Sequence, residues 1–314
     1  MSEEIKYDNP QYQRFNESLD SDGHVLIAGY SFSQSSILFE MDVQGYKEAY
    51  NDFAAQEYEN LKQIVIDNYP ACIAYHLRLA ERGPNSEDPI QKLGHLKDTW
   101  EAITHILHAM VWGEVRKKKI STQNAQVFVS TNPDGSPAFA NFNTRRLLSD
   151  AVKQRLYNIK AVLTYSRDNS INLKCDQIDD QLLDKLLELQ DVRNNTAHHA
   201  TPTLEEAESA LQKVLPLFAE MLDKTRFLGE CEILRFSAVS PPDITCAIYR
   251  GYSLHREQIK FKLGTDILSN NLYYLLTLGN EQLFLKWEDD IFSLSPFLHY
   301  QNDNTGHESY LCLY

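Results

Sequence analysis

The segment Leu189–Thr203, "LQDVRNNTAHHATPT", concentrates side chains that can do chemistry. It closes a Leu-rich helical run with Arg193, Asn194, Asn195, Thr196, Ala197, His198 and His199, then breaks at Thr201-Pro202. Such polar and small residues in succession at a helix end are poor core material. An imidazole titrates near neutrality and can take or give a proton, and a guanidinium offers a planar fork that matches phosphate oxygens. On a continuous helix Arg193 and His198 are five steps of about 100° apart, roughly 140° around the axis, so they diverge. Asn194 and His198, at i and i+4, share a face. One copy therefore makes an incomplete site, whereas two copies related by a two-fold axis can bring a pair of Arg and a pair of His into one cleft.

Other candidates are weaker. His105 and His108 stand at i and i+3, a spacing able to bind metal, but no second ligand pair lies nearby in sequence and both are expected at a surface or interface. A metal-dependent hydrolase built from His105, His108, His198 and His199 is the reading that pair would support. The cysteines Cys72, Cys175, Cys231, Cys246 and Cys312 are scattered, odd in number and never in C-x-x-C, as expected of reduced thiols without a metal or catalytic role. There is no phosphate-binding glycine loop and no G-x-S-x-G. Tyr69, Tyr75, Tyr273 and Tyr274 could stack on bases, although core packing accounts for most aromatics.

The elements that must position these residues are legible from periodicity. Two β-rich runs around a Ser/Gln turn in "HVLIAGYSFSQSSILFEMDV" predict an N-terminal hairpin within residues 1–45. From Tyr46 the period becomes helical, with an interruption at Asn68-Tyr69-Pro70 and a second run over Ala71–Arg82. "RGPNSEDP" is a loop, and Leu93, Leu96, Trp100, Ile103, Leu107, Met110 and Val111 predict a helix up to about Val115. A short β-rich run and an Asn-Pro-Asp-Gly turn mark an exposed insertion. Helix resumes at Arg145, its stripe formed by Leu147, Leu148, Val152, Leu156, Ile159 and Leu163. Another runs from about Gln177 to Asp191. The last begins near Thr203, where Thr203-x-x-Glu206 has capping-box spacing and Pro202 suits a first turn, with Pro216 inside it. Beyond Arg226 short aromatic and β-branched runs between Gly-Asn and Asn-Asp turns predict a β-rich module over 226–314. The fold class expected is α+β, with 1–45, 46–225 and 226–314 as its parts.

Composition fits this outline. The chain has 314 residues, 43% hydrophobic and 24% charged, which excludes global disorder and collagen-like repeats. No run of 18 or more apolar residues predicts a membrane helix, and the acidic start Ser2-Glu3-Glu4 is unlike a secretory signal, so a cytoplasmic protein is expected. The net charge of −14 argues at first against nucleic acid. It is unevenly spread. Between Arg116 and Arg167 ten basic residues face two acids, a local +8 against −22 elsewhere. Arg116, Lys117, Lys118, Lys119, Arg145, Arg146, Lys153 and Arg155 are thus candidates to track a phosphate backbone, with dipole compensation and solvated faces as the plain alternative.

With Arg-x-x-x-x-His near the junction of two helices, a polar Asn straight after the Arg and four helices over Ile90–Arg226, the chain resembles the HEPN superfamily with its R-x(4–6)-H motif. The resemblance implies a central HEPN-like antiparallel helical bundle at about 90–225, between the N-terminal β-hairpin and the C-terminal β module. It further implies a metal-independent endoribonuclease acting on single-stranded RNA, without cofactor, in bacterial toxin or anti-phage defence systems, with its active site at a homodimer interface. Arg193, Asn194 and His198 would be catalytic and His199 auxiliary. His198 would take the 2′-OH proton and Arg193 would stabilise charge developing on phosphate. Some toxin-type members carry a Tyr two residues beyond the motif His; here that residue is Ala200, so control by modification of that Tyr is not expected. The alternative is an inactive HEPN-like sensor or scaffold that binds a protein or small molecule through its β-rich ends.

Overall fold

The computed structural model describes residues 25–27, 30–32, 43–149, 151–196, 202–240, 243–252, 257–262, 283–302 and 308–312. The chain divides into two compact units, residues 1–60 and 61–314. In the first, β1 (Val25–Ile27) pairs antiparallel with β2 (Tyr30–Phe32). The hairpin expected about Ser33-Gln34 turns on residues outside those described. Helix α1 runs Val43–Asn68.

The second unit mixes helices and strands. Helix α2 (Ala71–Arg82) follows the break at Asn68-Tyr69-Pro70, and α3 (Pro89–Lys117) takes Pro89, the last residue of the loop expected over Arg82–Pro89, as its first position, with Asp88 Oδ1 accepting from Ile90 N–H at 2.9 Å. From Ile106 to Val115 α3 is buried around its whole circumference, as the axis of the unit must be. Next come β3 (Gln126–Thr131) and β4 (Pro137–Asn141), an antiparallel hairpin whose Asn132–Gly135 turn closes with Gly135 N–H to Asn132 O at 2.9 Å. Gly135 has φ +84°, which a residue with a Cβ adopts only at a cost.

The helix expected to run unbroken from Arg145 is interrupted. A single turn, α4 (Thr144–Leu147), is separated from α5 (Val152–Asp168), and Leu148, expected in the buried stripe, is 45% exposed. Polar side chains of α5 hold the break open. Asn158 Nδ2 donates to Arg146 O at 2.9 Å and Arg155 Nε to Ser149 O at 3.0 Å. Helix α6 spans Asp180–Thr196, beyond the Asp191 expected, after a 3₁₀ turn over Lys174–Gln177. Helix α7 (Leu204–Lys224) carries the foreseen capping box, Thr203 Oγ1 accepting from Glu206 N–H and Glu206 Oε2 from Thr203 N–H. Pro202 therefore precedes the cap instead of occupying the first turn.

Helices α3, α5, α6 and α7 close a ring: α3 packs on α5, α5 on α6, α6 on α7 and α7 on α3. The ion pairs fix their direction. Lys153, Lys160 and Arg167, seven residues apart on one face of α5, meet Asp191, Asp184 and Asp180 in descending order on α6. Likewise Lys185 and Asp179 of the α6 side meet Glu220 and Lys224 of α7. Rising number against falling number means that α5 and α6, and α6 and α7, run antiparallel.

A sheet follows: β5 (Cys231–Ser240), β6 (Asp243–Tyr249), β7 (Glu257–Lys262), β8 (Phe284–Trp287) and β9 (Asp290–Ser293), all antiparallel in the order β7-β6-β5-β8-β9. Strands β10 (Leu298–Asn302) and β11 (Glu308–Cys312) form a separate antiparallel pair. The β-rich C-terminal region read from sequence is therefore present, giving a mixed α+β chain. Strand β9 rests on α3 at Gly113, where an added Cβ would lie 2.9 Å from Phe292 Cβ and from Ser293 O. Arg116 Nη2 donates to Ser293 O at 2.8 Å beside this contact. Among the described residues no helix is long and apolar enough to cross a membrane.

Candidate functional site

The end of α6 presents the motif arginine. Leu182, Leu183, Leu186 and Leu189 bury one side of this helix, and Gln190 pins it to α3 by accepting from Trp100 Nε1 at 3.2 Å. Three residues on, Arg193 is exposed, and its Nη1 donates to Asn194 Oδ1 at 3.0 Å. Arg193 and Asn194 thus sit together on a well-anchored helix, the amide orienting the guanidinium. His198 and His199 lie outside the described residues. The nearest acids in sequence are engaged elsewhere, Asp191 with Lys153 and Glu188 with Lys185.

One neighbour was not anticipated. Glu101 of α3 is close enough to Arg193 for the guanidinium to act on its ionisation. Burial pushes the Glu101 carboxyl above its ordinary range, and the cations of Lys97 and Arg193 oppose that shift without cancelling it. Its sequence signal is His95-x-x-Asp98-x-x-Glu101, a polar stripe at three-residue spacing along α3.

The basic segment is largely committed to the fold. Besides the α5–α6 pairs, Lys117 bonds Asp290 at 2.5 Å and Lys118 bonds Glu114 at 2.8 Å. Arg116 reaches the carbonyls of Trp112 and Ser293, and Arg146 that of Asn141. Arg155 is buried, with its Nη1 against His105 Nδ1, and is a structural cation rather than a surface phosphate ligand. Among the described residues Lys119 and Arg145 are exposed and have no carboxylate partner. The local +8 is thus an ion-pair framework in which few cations are left for a phosphate backbone.

Glu114 shows how tightly the frame is drawn. Burial alone would raise its pKa, but Lys118 and the backbone N–H groups of Cys175 and Lys174 donate to it and together hold it below the ordinary range. His105 and His108 of α3 are also engaged by protein donors. A guanidinium only donates, so His105 Nδ1 accepts from Arg155. His108, expected near the surface, is buried with its Nε2 accepting from Trp112 Nε1 at 3.1 Å and its ring edge-on to Phe297. Their ring lone pairs face protein donors, which removes the metal site the i, i+3 spacing suggested. Tyr69, one of the aromatics considered for stacking, is buried and its hydroxyl donates to Thr225 O at 2.9 Å, while Tyr75 is 40% exposed. Tyr273 and Tyr274 lie outside the described residues.

Two features absent from the sequence reading complete the inventory. An open apolar hollow between the β3–β4 hairpin and α5 is lined by Gln126, Phe128, Phe139, Tyr157, Lys160 and Thr164. Phe128 packs against both Phe139 and Tyr157, and Phe139 is 56% exposed, so rings are offered to solvent beside a cation. Across α2 and α3, His76, His95 and Asp98 bring three donor atoms within 4.8 Å of one another.

No family model, curated protein or solved structure matches this chain.

Proposed function

We propose that the chain is a metal-independent endoribonuclease of HEPN type that cleaves single-stranded RNA in a bacterial toxin or anti-phage role. Its site is composite, formed by Arg193, Asn194 and His198 of two copies. The observation that carries this reading is the placement of Arg193: exposed, oriented by Asn194, and set at the end of a helix held in a closed four-helix ring. In the proposed reaction His198 removes the 2′-OH proton, and the 2′-oxygen attacks the adjacent phosphorus. The 5′-oxygen leaves, taking a proton from an acid of the site, and a 2′,3′-cyclic phosphate and a 5′-hydroxyl result. Arg193 stabilises the charge gathering on the non-bridging oxygens. Glu101, whose carboxyl burial pushes above its ordinary range and whose ionisation the Arg193 guanidinium influences, is the candidate for that acid.

Lys119 and Arg145 supply exposed charge and the ring-lined hollow of Phe128, Phe139 and Tyr157 supplies stacking surface for unpaired bases. With so few unpaired cations, RNA binding has a shallow salt dependence compared with a protein that tracks many phosphates. The test is incubation of end-labelled single-stranded RNA with the purified chain in excess chelator. Fragments ending in cyclic phosphate are expected. Binding without cleavage would replace this reading with the inactive HEPN-like scaffold, and neither binding nor cleavage would remove RNA from the account.

A further inference from the structure

The geometry points to a binding site for a zinc-class divalent cation, formed by His76 of α2 with His95 and Asp98 of α3, which no part of the RNA-cleavage proposal uses. The three donor atoms already lie within 4.8 Å of one another, on two helices joined by a short loop. Zinc bonds of about 2.0–2.2 Å in tetrahedral array need donors about 3.3 Å apart, so rotations of half-exposed side chains suffice to close the site. His95 and Asp98, at i and i+3, face the same side of α3.

Two further observations favour a cation over a simple polar cluster. His76 Nδ1 is shielded from solvent and has no hydrogen-bond partner among the described residues, although it is only 3.9 Å from Asp98 Oδ2. A buried ring nitrogen left unpaired beside a carboxylate is costly unless something bonds it. Secondly, the Asp98 oxygens are divided. Oδ1 is held by Lys97 Nζ at 3.2 Å, which leaves Oδ2 turned toward the imidazole. Lys97 also reaches Glu101 Oε2 at 3.7 Å, so the carboxylate is oriented from outside the ligand set, as ligating carboxylates commonly are.

Two imidazoles and one carboxylate, without a thiolate, suit zinc and related transition ions better than calcium or magnesium. Three protein ligands leave a fourth position to water or a small anion, on the solvent side of the α2–α3 pair. The cation ties the middle of α2 to the N-terminal third of α3.

The full-length chain, freed of metal by chelator and then titrated with zinc, is expected to bind one equivalent. Cobalt(II) in its place is expected to give visible bands of a nitrogen and oxygen site. His76→Ala, His95→Ala and Asp98→Asn each weaken zinc binding by at least about tenfold, as loss of one ligand of three requires. Combined His198→Ala and His199→Ala leaves it unchanged. In the unaltered protein zinc protects His76 and His95 from diethyl pyrocarbonate, a readout independent of how any variant folds. No zinc binding, binding that survives loss of both His76 and His95, or protection confined to other histidines overturns the proposal.

Discussion

His108 is a buried base without room for a second proton, and this makes the stability of the chain depend on pH in a calculable way. Burial pulls its pKa down from 6.5 to about 3. Protonation would also turn Nε2 into a donor facing the Trp112 N–H that it now accepts. Between pH 6.5 and 3 the unfolded chain binds this proton and the folded chain does not, so stability is complete above the unfolded pKa and falls as pH drops toward the folded one. Going from pH 7 to pH 5, a native pKa of about 3 against 6.5 unfolded removes about 2 kcal/mol, close to a thirtyfold change in the folding equilibrium. The perturbation is His108→Gln, whose amide oxygen can still accept from Trp112 but does not titrate. Urea unfolding followed by tryptophan fluorescence at several pH values reads the difference. Wild type is expected to lose about 2 kcal/mol more than the variant over this interval. Parallel pH profiles for the two proteins would show that His108 is not held neutral in the native state.

Other consequences are as direct. Gly113→Ala gains about 1 kcal/mol of helix propensity, yet its Cβ would press on β9 at 2.9 Å, so a net loss of about 1–2 kcal/mol is expected in thermal or urea unfolding. Lys160→Ala breaks an exposed pair with Asp184 and is expected to change stability by less than about 1 kcal/mol, measured the same way. Joint replacement of Lys119 and Arg145 by Ala is expected to weaken RNA binding and reduce its salt slope by about 1.4, read by fluorescence anisotropy across a salt series. Burial raises the Cys175, Cys231 and Cys246 thiols, the last to about 11, so in native protein Ellman's reagent is expected to modify half-exposed Cys72 well before these three.

Much of the helical frame was legible because it rests on local rules. The Asn68-Tyr69-Pro70 break, the Asn132–Gly135 turn and the Thr203–Glu206 capping box depend on residues within a few positions of one another. What escaped depends on partners distant in sequence. The apolar stripe through Leu147 and Leu148 reads as continuous helix, but the helix breaks where Asn158 and Arg155 capture the carbonyls of Arg146 and Ser149. Net charge over 116–167 reads as a groove, but the acids that neutralise its cations lie on α6 and β9. His108 reads as a surface or interface histidine only while Trp112 and Phe297 are out of view. The same limitation hid Glu101 beside Arg193 and His76 beside Asp98, since nothing local joins α2 or α6 to that face of α3. Arg193 and Asn194 stood out in sequence, and the structure puts both at the accessible end of α6.

The central claim is that Arg193 and His198 cleave RNA together without a metal. It is tested most directly by single-turnover cleavage of a labelled single-stranded RNA in excess chelator, comparing wild type with Arg193→Ala and His198→Ala of unchanged unfolding midpoint. The account expects wild-type cleavage and a loss of about 100-fold or more in each variant, the scale set by removing a proton-transfer group or a charge stabiliser. Equal rates in all three proteins, or no cleavage by wild type at saturating concentration, would contradict it.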